Sequence, residues 1–187
     1  MNKPKLIIFT GPSGVGKGTV LQEFFKNAEN VVYSVSSTTR LPRKGEIDGV
    51  HYNFISKEKF EDLIKQDAFL EWAKYSDNYY GTSKSFVQNQ LNSNKSVLLE
   101  IDLQGALKVM EKCPEAMSIF IKPPSFEELE RRLRGRKSED EATIQKRLKI
   151  AKIELSHIEK FDYVVENDDI IKASQRLLEI YQKETTL

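Results

Sequence analysis

Apolar positions along this chain follow two periods. Short, β-branched-rich runs predict strands at LIIFT (6–10), VVYSV (31–35), SVLLEI (96–101), AMSIFI (116–121) and DYVVEN (162–167). Longer stretches of helical period predict helices over 17–27, 57–66, 83–92, 103–112, 125–134, 139–160 and 168–184. Strands alternating with helices predict an α/β fold whose parallel β-sheet is flanked by helices. The interval between VVYSV and SVLLEI is too long for one crossover and carries FLEWAKY and a turn, NYYG; it reads as an inserted subdomain. GRKSEDEA (135–142), charged and opened by glycine between two helices, reads as a second insertion, a mobile flap.

The first strand runs straight into chemistry. In KLIIFTGPSGVGKGTV (5–20) a strand feeds a glycine-rich loop and then a helical pattern, the context a phosphate cradle needs. Glycines let backbone N–H groups converge on phosphate oxygens, the helix N-terminus adds its dipole, and Lys17 supplies a point charge. The loop residues Gly11, Pro12, Ser13, Gly14, Val15, Gly16, Lys17, Gly18 and Thr19 are therefore the candidates for the phosphates of a nucleoside triphosphate. The alternative is a turn that merely joins strand to helix. Gly18 stands where such loops usually place a hydroxyl for magnesium, and Thr19 follows one residue later. No metal ligand is assigned outright; Thr19 is the candidate, and Mg²⁺ accompanying the nucleotide would lean on phosphate oxygens and water. At the end of SVLLEID, Asp102 suits either the metal's water shell, a nucleotide hydroxyl, or the N-cap of the next helix.

Net charge is +1, so no global field points to nucleic acid or to an anionic membrane, and anion specificity must come from local clusters. The densest cluster is SVSSTTRLPRKGEIDGVHYNF (34–54). Arg40 and Arg43 flank Pro42, with four hydroxyl residues before them and Tyr52 after. Two guanidinium forks suit a phosphate dianion; two arginines on a loop also suit plain solvent. A kinase that phosphorylates a phosphate needs two anion sites. The 187 residues suffice for one domain, no apolar run approaches a membrane span, and Cys113 is the lone cysteine, so the expectation is a cytoplasmic protein without internal disulfides.

Taken together, GPSGVGKGT, the run SVSSTTRLPR-x-GE-x-DG-x-x-Y-x-F, FLEW, NYYGTS, LEIDLQG, PPSFEELERRLRGR and VVENDD resemble guanylate kinase over nearly the whole length. The resemblance implies one domain over 1–187: a P-loop kinase core (1–35, 95–125 and 157–187), a GMP-binding subdomain (about 36–94) and a lid (about 126–156). It implies ATP and GMP as substrates, with dGMP as an alternative acceptor, no nucleic acid or membrane partner, and a place in purine nucleotide metabolism. Nothing in it selects between a monomer and a homo-oligomer. Arg40, Arg43, Tyr52 and Tyr80 are implied at the GMP phosphate; Ser36, Glu71 and Thr82 at guanine; Asp102 near the acceptor nucleotide. Arg132, Arg136 and Arg147 are implied at the transferring phosphates, so that Lys17, Arg40 and these three form the catalytic set, and Asn167 near adenine. Two residues depart from the family's habit: Gly18 replaces a frequent serine, and Glu100 a frequent aspartate.

Elementary chemistry agrees. Guanine presents two adjacent donors, N1–H and the 2-amino group, which one carboxylate accepts together; adenine lacks the pair. Glu71 in the otherwise apolar FLEW is then a purine discriminator, or else an exposed strand residue, while Trp72 is expected in the core. The acceptor oxygen is already anionic, so no general base is required, and His51 and His157 receive no role. Two other functions compete. A scaffold module holding a peptide on the GMP surface leaves the Lys17 loop without a task; a GTPase needs an N-K-x-D element that this chain lacks.

Overall fold

A computed structural model describes residues 3–75, 77–135 and 140–186. In chain order the elements are β1 (Leu6–Thr10), α1 (Lys17–Asn27), β2 (Val31–Tyr33), β3 (Ser37–Thr38), β4 (Asn53–Phe54), α2 (Lys57–Lys65), β5 (Phe69–Tyr75) and β6 (Asn78–Ser83). There follow α3 (Lys84–Asn92), β7 (Ser96–Glu100), α4 (Leu103–Lys112), β8 (Met117–Lys122), α5 (Phe126–Gly135) and α6 (Glu141–Leu155). A short 3-10 turn (Ile158–Lys160), β9 (Tyr163–Glu166) and α7 (Ile170–Thr185) complete the fold.

Five strands form one sheet in the order β2-β7-β1-β8-β9, and four form a second in the order β4-β3-β6-β5. In the first sheet Val31 to Tyr33 pair in parallel with Ser96 to Leu98, and Ile119 to Lys122 with Tyr163 to Glu166. This is the α/β fold expected from the alternating pattern. β1 is buried throughout, as a central parallel strand must be. By contacts the chain divides into two compact units, one built on Phe9–Glu29 and Met117–Leu187, the other on Pro4–Ile8 and Asn30–Ala116.

In the first unit α1 packs on α7, with Phe24 meeting Tyr181 edge to face at 5.8 Å. Phe120, Leu129 and Leu177 complete a core with almost no exposure. In the second unit Phe60 stacks between Phe69 and Tyr79 at 4.3 and 5.2 Å, joining α2 to the hairpin of β5 and β6. The stretch NYYG, expected as a turn, is instead part of β6, antiparallel to β5 with Trp72 opposite Gly81 and Ala73 opposite Tyr80. Among the described residues of this hairpin Asp77 is left-handed, at φ 66°, a region that aspartate tolerates.

The helix expected over 139–160 ends at Leu155, with Ser156 as its C-cap and the 3-10 turn beyond it. Half of the flap expected at 135–142, residues 136–139, lies outside the described residues; Gly135 closes α5 and Asp140 caps α6. Among the described residues no helix is long and apolar enough to cross a membrane.

Candidate active site

Helix ends single out the phosphate loop. The N-termini of α2 to α7 are each capped by a side-chain oxygen, from Ser56, Ser83, Asp102, Ser125, Asp140 and Asp169. α1 is the exception: its N-cap is Gly16, at φ 95°, with no side-chain cap. Its first-turn N–H groups are therefore left for something other than a protein cap, and an anion suits them. A side chain at Gly16 would strain the left-handed backbone and put a Cβ 2.6 Å from Asn167 Nδ2.

Three contacts from distant segments hold this loop in the first unit. Asn167, buried just after β9, donates Nδ2 to the Val15 carbonyl at 2.7 Å. Arg132 on α5 donates to the carbonyls of Val15 and Asn167 at 3.3 and 3.0 Å, while its Nε is taken by Glu128. Arg147 on α6 donates to Ser13 Oγ at 3.1 Å. Lys17 itself folds back, its Nζ 2.6 Å from the Gly11 carbonyl and 3.2 Å from that of Pro12. A cleft of about 500 Å³ opens here, lined by Gly14, Gly16, Thr19, Arg132, Asn167 and Ile170 among others. That volume lies in the range of small-ligand sites. Arg136, the third candidate of the arginine set, lies outside the described residues.

The second unit holds the other anion cluster. The Arg40 guanidinium sits over the Tyr52 ring at 5.3 Å and the Phe54 ring at 5.8 Å, and Tyr52 meets Tyr80 edge to face at 5.9 Å. Glu46 grips Arg40 with both oxygens, at 2.8 and 2.9 Å, and this pairing holds its carboxyl down at about 2. Arg43 is exposed beside it. A cationic fork and two phenols thus meet, with exposed Arg43 bound to the same Glu46 through its backbone, a combination that suits a bound phosphate.

Beside this cluster β5 turns a carboxylate inward. Its burial alternates so that Phe69, Glu71 and Ala73 face in while Trp72 faces out. Trp72, expected in the core, is 37% exposed, with the Lys108 ammonium over its ring at 5.6 Å. Glu71, by contrast, is 5% exposed. It accepts one hydrogen bond, from Thr82 Oγ1 to Oε1 at 2.8 Å, and among the described residues no donor reaches Oε2. Burial pushes its carboxyl above the ordinary range; the charge of Asp102 adds to this, and the Thr82 bond opposes it. Lys108 and Lys112 of α4 donate to the carbonyls of Trp72 and Leu70, on either side of Glu71, each at 2.8 Å. Asp102, at the end of β7, caps α4 by accepting from Gly105 N at 2.7 Å. Ser36 lies half-buried where the chain enters β3, its carbonyl accepting from Asn53 N. The longer reach of Glu100 is met by Tyr33, whose hydroxyl donates to it at 3.1 Å.

Two residues that the sequence alone did not single out stand in these clusters. Glu46 was part of the quoted run, and its spacing six residues past Arg40 across a proline and a glycine is the one signal that could have pointed to it. Gly105 is the other. A Cβ there would lie 2.9 Å from Glu71 Oε2 and 3.3 Å from Asp102 Oδ1, so glycine is what lets the helix approach both carboxylates.

Known proteins resemble this chain over most of its length. The chain matches the guanylate kinase family over residues 3–184. It is 50% identical over 186 residues to a guanylate kinase of Halalkalibacterium halodurans, covering 98% of this chain and 91% of that one. To a guanylate kinase of Caldanaerobacter subterraneus subsp. tengcongensis it is 51% identical over 172 residues, covering 92% and 84%. Among solved structures, guanylate kinase from Anaplasma phagocytophilum superposes with a TM-score of 0.83 at 36% identity, over 100% of this chain and 88% of that one. Shikimate kinase from Bacteroides thetaiotaomicron shares the fold, with a TM-score of 0.51 at 15% identity over 95% and 98%. Identity of about one half, sustained from one end of the chain almost to the other, makes this protein a member of the guanylate kinase family.

Proposed function

We infer that this protein is an ATP:GMP phosphotransferase, passing the γ-phosphoryl of ATP to GMP to give ADP and GDP in purine nucleotide metabolism. The observation that carries the choice of base is the buried Glu71 carboxylate, with one oxygen tied to Thr82 and the other without a donor among the described residues. A desolvated carboxylate in that state favours a ligand edge with adjacent N–H groups, which guanine has and adenine lacks. In this reading Ser36 and Thr82 line the base site with Glu71, and Arg40, Arg43, Tyr52 and Tyr80 take the acceptor's phosphate. Asp102 stands beside the acceptor nucleotide while also capping its helix. Residues 36–94 form the acceptor subdomain and 126–156 the lid.

For the donor, the uncapped N-terminus of α1 and the loop from Gly11 to Thr19 hold the phosphates of ATP, with Asn167 near adenine. Lys17, Arg132, Arg136 and Arg147 supply positive charge where two phosphate groups must approach. An acceptor oxygen that is already anionic needs no base, so the task of these residues is positioning and neutralisation of repulsion. Mg²⁺ suits the residues present. A Cβ at Gly18 would meet nothing within 4 Å, and Thr19 lines the same cleft as Gly14 and Gly16, leaving room for a hydrated ion held through Thr19 and the nucleotide. When bound, the ion spreads the charge of the transferring phosphoryl group. We assign the reaction to the cytoplasm, a reducing compartment to which the lone thiol of Cys113 is suited.

An ADP-release assay with GMP, AMP, CMP and UMP as acceptors tests this reading. GMP should be preferred by several orders of magnitude. Turnover of AMP equal to that of GMP would overturn the base assignment.

A further inference from the structure

The carboxylate within the acceptor's cationic cluster is unexpected: an anion site spends one of its two arginines on an internal acid. Glu46 and Arg40 are largely withdrawn from solvent, with 18% and 15% of their side chains exposed. Arg40 Nη1 donates to Glu46 Oε2 at 2.8 Å and Nη2 to Oε1 at 2.9 Å, so the acid holds the end-on edge of the guanidinium. The second hydrogen of Nη1 goes to the Leu41 carbonyl at 2.8 Å. A guanidinium has five N–H groups. Those left over, Nε–H and the second hydrogen of Nη2, lie together on the side-on edge, which is itself a two-pronged fork.

We propose that Glu46 is a positioning residue for the acceptor's phosphate, fixing one edge of Arg40 so that the side-on edge is presented, ready oriented, to the incoming anion. The proposal rests on reading Arg40 as a residue of the acceptor-phosphate site. Glu46 is suited to the task because it is anchored in turn. Its Oε2 accepts from Arg43 N at 2.6 Å, and its own N–H donates to the Arg43 carbonyl at 3.0 Å, which closes the loop on the acid. The guanidinium lies over the Tyr52 and Phe54 rings, which restrict its rotation, and the Tyr80 hydroxyl adjoins it. A free arginine would lose its rotamer freedom on binding; this one has lost it beforehand. The cluster keeps a net positive charge through Arg43, so neutralising Arg40 in part does not abolish the attraction for a dianion.

A rival role is possible for the same acid: a stand-in that fills the phosphate's place and must be displaced. The two roles differ in sign. Glu46→Gln keeps the volume but cannot accept both N–H groups of the end-on edge. Positioning predicts that its Kd and KM for GMP rise about tenfold, while the affinities for guanosine and ATP, which do not use this fork, change less than about twofold. In an Arg40→Ala background the same substitution should have no further effect on GMP. Unchanged or tighter GMP binding by Glu46→Gln would overturn the proposal, tighter binding pointing to displacement. Parallel weakening of guanosine and GMP would overturn it too, reducing Glu46 to a support of the subdomain. If Arg40→Ala alone leaves the preference for GMP over guanosine intact, the assignment of Arg40 fails, and the proposal fails with it for a separately visible reason.

Discussion

Thr82 donates its hydroxyl to Glu71 Oε1 across the hairpin, 2.8 Å away in a site with almost no solvent. The proton of that hydroxyl is thereby committed to the protein's own acid. One consequence concerns pH. Burial raises the Glu71 carboxyl above the usual range, so it loses its charge at a pH where exposed carboxylates keep theirs. The acid limb of kcat/KM for GMP should therefore lie above the ordinary glutamate range and vanish in Glu71→Gln, whose KM for GMP should be about 10- to 100-fold higher. The stability effect has the opposite sense. A carboxyl raised on folding contributes most below its unfolded pKa and loses that contribution as pH rises through the folded value, so Glu71→Gln should gain thermal stability at neutral pH relative to the parent. Scanning calorimetry and steady-state rates from pH 5 to 8 check both.

Gly105 poses a conflict between helix propensity and room for the Glu71 carboxylate. Alanine in a helix interior is favoured over glycine by about 1 kcal/mol. Here its Cβ would press on Glu71 Oε2 from 2.9 Å, and the end of a side chain yields more easily than a helix. Gly105→Ala should leave the melting temperature within about 3 °C of the parent yet raise KM for GMP about tenfold, with KM for ATP unaltered. Equal rises for both nucleotides would mean that the helix has shifted and not the acid alone.

Lys17 holds its ammonium between the Gly11 and Pro12 carbonyls. Its charge matters most where the transferring group is most anionic. Lys17→Ala should cost about 10²- to 10³-fold in kcat with a smaller change in KM for GMP. A kcat equal to the parent's would show that the charge acts in binding and not in transfer.

Gly18 is open to solvent, and an added Cβ would meet nothing within 4 Å. Gly18→Ser should therefore fold, with a gain of about 0.5 kcal/mol from helix propensity and a melting temperature about 1–2 °C higher. If the metal accompanying ATP sits at this turn, the new hydroxyl should lower the Mg²⁺ concentration for half-maximal rate. An unchanged requirement would place the ion away from position 18.

The periodic pattern was informative where an element is organised by its own residues. Leu6–Thr10, Lys17–Asn27 and Leu103–Lys112 have the bounds that their apolar periods suggest, the last with Asp102 as its cap. It failed where one strand's environment is made by another. In FLEWAKY, hydrophobicity argues for Trp72 inside; pairing with β6 and packing against α4 instead turn Phe69, Glu71 and Ala73 inward, and the Lys108 ammonium of α4 lies over the outward-facing tryptophan. NYYG carries turn residues but extends as a strand because it pairs along β5 and β3.

What the sequence by itself determined is the chemistry that nearby residues share: the glycine loop and its lysine, the two arginines around Pro42, and Asp102 as the cap of its helix. Those features depend on spacings of a few residues, which the chain carries whether folded or not. Tertiary structure alone decided that Glu71 is buried with Thr82, that Gly105 admits two carboxylates to one turn, and that Glu46 turns back to hold Arg40. Each is a meeting of groups whose approach is set by strand register, helix packing or loop closure. The desolvation that gives them their properties exists only after those surfaces have come together.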